Sequence, residues 1–140
     1  MTEGSMININ DDKVKDRWSR YIGAMGIEAV AKQAESRILI SGLGPLGVEI
    51  AKNIVLAGCK ELILFDDVNP MADEVSGQFF ITMEDVNKCD YAKTRAHYSR
   101  DKLQQLNFYV KVTVLDSTVI LSDYIASQDD LKVVILTDFF

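Results

Sequence analysis

The fold is decided by the stretch Arg37-Ile38-Leu39-Ile40-Ser41-Gly42-Leu43-Gly44-Pro45-Leu46-Gly47-Val48. It opens with an apolar run that predicts a buried strand, and the apolar residues after Gly47 recur at helical spacing as far as Gly58. In a Gly-x-Gly-x-x-Gly turn the first glycine permits the tight turn, the second lets the backbone approach a phosphate, and the third lets the helix pack against the strand. The helix N-terminus adds free N–H groups and the positive end of a dipole. Gly42, Gly44 and Gly47 are therefore candidates for binding a nucleotide phosphate, or they serve only packing.

A second buried strand is predicted at Glu61-Leu62-Ile63-Leu64-Phe65-Asp66, and it completes a βαβ unit whose strands should be parallel. Asp66 ends this strand, nineteen residues after Gly47, where an acidic side chain can bind the hydroxyls of a ribose. The combination of strand, glycine loop, helix, strand and acid indicates descent from a nucleotide-binding domain.

The remaining pattern predicts an α/β fold with an open, doubly wound, mostly parallel sheet. A helix should begin at Asp11 or Asp12 and break near Gly26, and a second short helix should run to about Lys32. Further elements are predicted as helices over 91–106 and 122–127 and as strands over 110–115 and 132–137. Because strands alternate with helices, we predict a Rossmann-like sheet preceded by N-terminal helices.

The composition argues against several functional classes. The chain has 140 residues, 48% of them hydrophobic, which suits one domain with its own core. A formal net charge of -6 argues against nucleic-acid binding, and no apolar run is long enough to span a membrane. Residues 1–10 lack periodicity and the features of a signal peptide, so we expect a disordered leader there and a cytoplasmic or nuclear protein.

The residues that often bind metals or perform nucleophilic chemistry are sparse. Cys59 and Cys89 are thirty residues apart, and His97 is the only histidine, so neither a disulfide framework nor a zinc site is predicted. The chain ends in an apolar strand and two aromatic residues, which would leave apolar surface uncovered. We therefore expect residues 11–140 to be the first part of a domain from a larger protein.

Several motifs, in order, resemble the activating enzymes for ubiquitin and ubiquitin-like proteins, which are related to the bacterial adenylyltransferases of molybdopterin and thiamin biosynthesis. They are Trp18-Ser19-Arg20-Tyr21-Ile22, residues 41–58, Ser76-Gly77-Gln78-Phe79-Phe80, Ala92-Lys93-Thr94-Arg95-Ala96, Leu106-Asn107-Phe108-Tyr109-Val110 and Val133-Val134-Ile135-Leu136-Thr137. Members of this family use ATP and magnesium to adenylate the C-terminal glycine of a small protein, and the activating enzymes then transfer it to a cysteine as a thioester. They contain two adenylation-type halves, one of which can be inactive.

Two positions imply, through this resemblance, that the chain is the inactive half. Active members carry an Asn-x-x-Arg-Gln-Phe-like segment after the second strand, and the matching stretch here has Gly77 in place of the arginine that contacts phosphate. Active members also carry Gly-Lys-x-Lys-Ala at a helix start, and Arg95 replaces the second lysine here. An arginine is not interchangeable with a lysine at a fixed site, and positioned cations contribute strongly to phosphate chemistry. The resemblance therefore implies the N-terminal, inactive adenylation half of a ubiquitin-activating enzyme.

Arg20 is the one residue for which the resemblance implies a catalytic contribution. In the family, an arginine of this N-terminal helix reaches across the pseudo-dimer to the ATP bound by the partner half, where a cation supplied in trans can stabilise transition-state charge. Trp18 replaces the usual tyrosine and Tyr21 the usual glutamine around it. Without the resemblance, Arg20 would be interpreted as a solvated charge on a helix face.

The implied cofactors are ATP and Mg²⁺, held mainly by the partner half, while Gly42, Gly44, Gly47 and Asp66 form a vestigial nucleotide site without a metal. The implied partners are the active adenylation half, ubiquitin or a ubiquitin-like protein, and a conjugating enzyme, with no nucleic acid and no membrane. Three alternatives stay open: a small subunit of a SUMO- or NEDD8-activating enzyme, an active adenylyltransferase, and a nicotinamide-dependent dehydrogenase domain.

Overall fold

The computed structural model describes residues 7–88 and 90–138. The helices are α1 Asp12–Arg17, α2 Ser19–Met25, α3 Ile27–Ala34, α4 Pro45–Ala57, α5 Met83–Asn87, α6 Arg95–Leu106 and α7 Leu121–Ala126. The strands are β1 Arg37–Ser41, β2 Glu61–Phe65, β3 Lys111–Val114 and β4 Leu131–Leu136. None of the helices in this part of the chain is long and apolar enough to cross a bilayer.

The four strands form one parallel sheet in the order β3-β2-β1-β4. The chain passes from β1 to β2 to β3 in one direction and then returns to place β4 on the other side of β1. The order thus reverses between β1 and β4, which is where open α/β sheets form a crevice at the carboxyl ends of their strands. The predicted α/β class with a doubly wound parallel sheet is confirmed.

The main core lies between the sheet and the helices α4 and α6. Alternate strand residues, Ile38 and Ile40 of β1 and Leu62 and Leu64 of β2, point into it and are nearly or fully buried. Each carries a branched apolar side chain, so burial of these residues is the main force that holds the helices on the sheet. α4 is consequently fixed directly behind the glycine loop.

A second, smaller core joins the N-terminal helices to the rest of the domain. Its buried residues are Val14, Trp18 and Val30, and the Trp18 ring meets the Tyr109 ring edge-on with centroids 5.5 Å apart. The break near Gly26 is confirmed, since Gly26 has a φ of 86° between α2 and α3. The structure adds a break at Trp18, between α1 and α2, that the periodicity did not predict.

The helix predicted over 91–106 begins later than expected, at Arg95. Thr94 is in extended conformation and acts as the N-cap, and its backbone N–H donates to Nδ1 of His97 at 3.1 Å. His97 thus satisfies a backbone donor at a helix start. Residues 1–6 of the predicted leader, Cys89, and the last two residues lie outside the described part of the chain, whereas Ile7 packs against both cores.

Candidate functional site

A cleft of about 310 Å³ opens at the carboxyl ends of β1, β2 and β4. Its lining includes Gly42 from the glycine loop, Asp66 and Asp67 after β2, Arg95 at the start of α6, and Asp138 after β4. The parallel sheet brings these segments together because the carboxyl ends of parallel strands share one edge. The cleft therefore lies where a doubly wound domain would bind a nucleotide.

Within this cleft the glycine loop is tightly enclosed by the chain itself. Gly42 has a φ of 96°, and a Cβ atom there would lie 2.4 Å from the carbonyl oxygen of Thr137. A Cβ atom on Gly47 would lie 1.8 Å from the carbonyl oxygen of Gly42. The hydroxyl of Thr137 donates to the same Gly42 carbonyl at 2.9 Å, which attaches the loop to the end of β4. Both glycines are thus required by packing alone.

Asp66, the predicted ribose-binding residue, is fully engaged inside the protein. Its side chain is 1% exposed and accepts hydrogen bonds from the backbone N–H groups of Leu43 and Val68, each at 3.0 Å. Nε of Arg95 donates to the same carboxylate at 2.8 Å. The structure therefore uses Asp66 to join the glycine loop, the segment after β2 and the start of α6.

Arg95 is a buried cation surrounded by carboxylates. Its side chain is 6% exposed, and besides Asp66 it forms ion pairs with Glu74 and, at 3.3 Å, with Asp138. Burial disfavours the charged guanidinium, but hydrogen bonds and charge from Asp66 and Glu74 outweigh that effect, so the pKa of Arg95 is raised above its ordinary value. Arg95 stays charged, and its donors are directed at the protein's own acids.

The cleft is strongly negative in formal charge. Asp66, Asp67 and Asp138 line it, and Arg95 is the one basic side chain among its lining residues in the described part of the chain. Glu74 adds a further carboxylate bonded to the same guanidinium. A bare triphosphate entering this cleft would meet an excess of like charge, because the donors of Arg95 are already bonded to the protein's own carboxylates.

The segment after β2 is held against the glycine loop by a buried glutamine. The side chain of Gln78 is fully buried, and its amide donates to the Leu43 carbonyl at 3.2 Å and to the Ser99 hydroxyl at 2.8 Å. Gly77 precedes it, and a Cβ atom there would lie 3.1 Å from Pro45, the first residue of α4. A side chain at position 77 would therefore begin beside the N-terminus of α4.

Arg20 lies apart from this cleft, on the exposed surface of α2. In residues 7–88 and 90–138, no acidic side chain forms an ion pair with it, in contrast to Arg95. Exposed apolar side chains lie on the same helix and at the start of the next: Tyr21 is 40% exposed, Met25 47% and Ile27 44%. The structure thus places the glycine loop and Asp66 at the cleft and Arg20 away from it, on the exposed surface of α2.

Asp138 lines the cleft and Glu74 bonds to Arg95 beside it, and neither role was predicted from the sequence. Asp138 directly follows the predicted strand 132–137, so the rule that the ends of parallel strands converge could have identified it. Glu74 carried no such signal, because it lies in a single turn of 3-10 helix within a loop and reaches Arg95 from there. Among the described residues, no group of three histidine, cysteine or acidic side chains is arranged to hold a metal ion.

Comparison with known proteins gives one family. The ThiF family model matches residues 18–137. The chain is 38% identical over 121 residues to ubiquitin-like modifier-activating enzyme 1 of Mus musculus, an alignment that covers 86% of this chain and 11% of that protein. It is 37% identical over 139 residues to ubiquitin-activating enzyme E1 2 of Arabidopsis thaliana, covering 99% of this chain and 12% of that protein.

Two bacterial proteins of known structure share the fold. The chain superposes on E. coli tRNA N6-threonylcarbamoyladenosine dehydratase with a TM-score of 0.76 at 20% identity, covering 91% of this chain and 52% of that one. It superposes on E. coli MccB with a TM-score of 0.69 at 18% identity, covering 93% and 38% of the two chains. These structures support the fold, and the curated relatives confirm the resemblance inferred from the motifs.

Proposed function

Because the chain belongs to the ThiF family, we propose that it is the inactive adenylation half of a ubiquitin-activating enzyme, which braces the active half and lends it Arg20. The chain spans only 11–12% of the length of the curated relatives reported above, so the activity of the whole protein is part of the proposal. The observation that carries it is the state of Arg95, the residue at the position of the family's phosphate-binding lysine.

Arg95 supports an inactive cleft because its donors are already used. The guanidinium is held by two buried or half-buried carboxylates, Asp66 and Glu74, and releasing it toward a phosphate would leave those acids without their cation. Breaking a buried pair in this way typically costs about 3–5 kcal/mol, which weakens any nucleotide that demands it. The absence of a cationic side chain at Gly77 also weakens phosphate binding, because a side chain at this position would begin beside the N-terminus of α4.

Arg20 supports the bracing role because it is available to a partner. It is exposed on α2, near apolar side chains that a soluble partner could cover, including Tyr21 and Met25. If this arginine completes the ATP site of the active half only when the two halves pair, nucleotide chemistry depends on their assembly. ATP and Mg²⁺ belong, in this proposal, to the active half, where the magnesium ion would neutralise phosphate charge.

The names of the relatives favour ubiquitin or a ubiquitin-like protein as the substrate of the assembled enzyme. We further propose a conjugating enzyme as the acceptor of the thioester, and the cytoplasm and nucleus as the location. No step of the chemistry passes through the cleft of this chain.

The proposal is tested by Arg20→Ala in the assembled enzyme, with ATP–pyrophosphate exchange as the measure of adenylate formation. We expect at least about a tenfold slower exchange, because losing one charge-assisted contact in the transition state removes 1.4 kcal/mol or more. Transfer from a preformed adenylate to the cysteine should keep its rate. An unchanged exchange rate would remove the role in trans.

Arg17→Ala is the matched control. Arg17 is also an exposed arginine of the N-terminal helices, but it is bound within the chain, donating to the Leu106 carbonyl at 3.2 Å and lying 5.3 Å from the centre of the Trp18 ring. Its loss should leave exchange within about twofold, after correction for any change in folded fraction. If both variants slow exchange equally, the effect comes from the stability of the helices and not from a transferred arginine.

A further inference from the structure

The side chain of Asp138 contacts the glycine loop directly. The residue directly follows Thr137 after β4, and its Oδ2 atom accepts the backbone N–H of Gly44 at 3.2 Å. The same oxygen lies 3.3 Å from NH2 of Arg95. Gly44 is the N-cap of α4, so this carboxylate oxygen lies at the positive end of a thirteen-residue helix.

The contact depends on Gly44 having no side chain. A Cβ atom on Gly44 would lie 2.5 Å from Oδ2 of Asp138, closer than real atoms approach. In a nucleotide-binding loop the second glycine lets the backbone approach a phosphate oxygen. Here the same opening is used by a carboxylate oxygen of the chain, which carries similar charge and accepts the same kinds of hydrogen bond.

Asp138 also adopts an unusual backbone. Its φ of 60° is the only positive value among non-glycine residues in the described part of the chain, and aspartate tolerates that region better than most residues. The side chain is 36% exposed, whereas Asp66 beside it is 1% exposed. Asp66 is thus a fixed part of the core, and Asp138 is the outer and removable carboxylate.

We infer that Asp138 is an internal substitute for a phosphate group, which closes the glycine loop of this chain to anionic ligands. The inference rests on the proposed function in one respect, since it explains why the inactive half keeps an intact loop and yet holds no nucleotide. The Gly44 N–H and the Arg95 guanidinium form a latent oxyanion site, and removal of the Asp138 carboxylate opens it.

An alternative explanation is that the negative charge of the whole cleft repels anions, in which case removing any of its carboxylates would help phosphate to bind. Asp67 tests this alternative. It lines the same cleft and carries the same charge, but it is exposed, and no hydrogen bond joins its side chain to the described part of the glycine loop. Removing Asp67 therefore changes the field in the cleft without emptying the position beside Gly44. The pair Asp138→Ala and Asp67→Ala separates occupation of the site from long-range electrostatics.

The experiment is a titration of the 140-residue chain with inorganic phosphate, followed in NMR spectra by the backbone amide resonances of the loop residues other than Pro45: Gly42, Leu43, Gly44, Leu46 and Gly47. Asp138→Ala should bind phosphate at least about tenfold more tightly than the wild type, because a charge-assisted hydrogen bond is worth 1.4 kcal/mol or more. Asp67→Ala should change the affinity by less than about threefold, as expected for one screened surface charge. Asp138→Gly removes the carboxylate and also relieves the backbone strain at a φ of 60°, and it should bind phosphate as tightly as Asp138→Ala.

Two results would overturn the inference: no gain in phosphate affinity over the wild type in Asp138→Ala and Asp138→Gly, or an equal gain in Asp67→Ala. Neither of these results alters the expected effect of Arg20→Ala in the assembled enzyme. Conversely, an unchanged exchange rate in Arg20→Ala would defeat the role in trans while the phosphate titration still decides the role of Asp138.

Discussion

Replacing Asp66 with alanine should strongly destabilise the domain, because this carboxylate has several buried partners. The substitution leaves the N–H groups of Leu43 and Val68 without their acceptor, and each unsatisfied donor costs about 1–3 kcal/mol. It also removes one partner of the buried Arg95 guanidinium, a change that typically costs about 3–5 kcal/mol. These costs overlap, and Glu74 and Asp138 still hold the guanidinium, so we expect about 3–5 kcal/mol in total.

The assay is equilibrium unfolding in urea followed by circular dichroism, with the free energy extrapolated to water. A domain of this size has a free energy of unfolding of about 5–15 kcal/mol, so the loss is a large share of its stability. Asp66→Asn, which keeps the size and one acceptor oxygen, should lose less than Asp66→Ala. Asp67→Ala, at the exposed neighbouring position, should stay within about 0.5 kcal/mol of the wild type. A loss below about 1 kcal/mol for Asp66→Ala would refute the structural role.

Two further outcomes test the packing around the sheet. Gly58→Ala should lower the free energy of unfolding by about 1 kcal/mol or more, because Gly58 has a φ of 91° and a new Cβ atom would lie 3.0 Å from the Trp18 ring. Gly23→Ala in α2 should raise it slightly, because a Cβ atom there would meet nothing within 4 Å. Urea unfolding measures both changes. The Cys59 thiol should resist alkylation by iodoacetamide at pH 8 in the native protein and react in urea, as mapped by mass spectrometry, because burial and the charge of Glu61 raise its pKa to about 12. The pKa of Cys59 in the folded protein exceeds the unfolded value of about 8.5. The contribution of Cys59 to stability should therefore fall as the pH rises above about 8.5.

The sequence predicted the sheet well because its signals are local. The apolar runs of β1 and β2, the glycine loop and the helix up to Gly58 each carry their own pattern, and the structure places their boundaries within a residue or so of the prediction. The break at Trp18 was missed because no glycine or proline marks it. Trp18 is 1% exposed and packs against Tyr109, far away in the chain, so tertiary packing overrides local helix propensity there.

The chemistry of the cleft was less predictable, since it depends on contacts between distant segments. The sequence suggested that Arg95 is a poor substitute for a phosphate-binding lysine, but not that Asp66 and Glu74 would use its donors. Those partners lie 29 and 21 residues away along the chain, and only the folded sheet brings them together. Sequence reasoning therefore identified the residues of the cleft better than it identified their bonds.

The glycine loop shows that packing within the chain can require glycines of a motif that usually signals nucleotide binding. A Cβ atom on Gly42 would collide with the Thr137 carbonyl and one on Gly47 with the Gly42 carbonyl, whereas one on Gly44 would meet the end of the Asp138 side chain, which can move. The contacts at Gly42 and Gly47 are with backbone atoms of the chain, so a larger residue at either position would disturb the fold whether or not a nucleotide binds. Packing alone is thus enough to require the first and third glycines, and these two identify the fold without identifying a ligand. The positive charge that a phosphate would need lies outside the motif, at Arg95, and in this chain that guanidinium is bound to Asp66, Glu74 and Asp138.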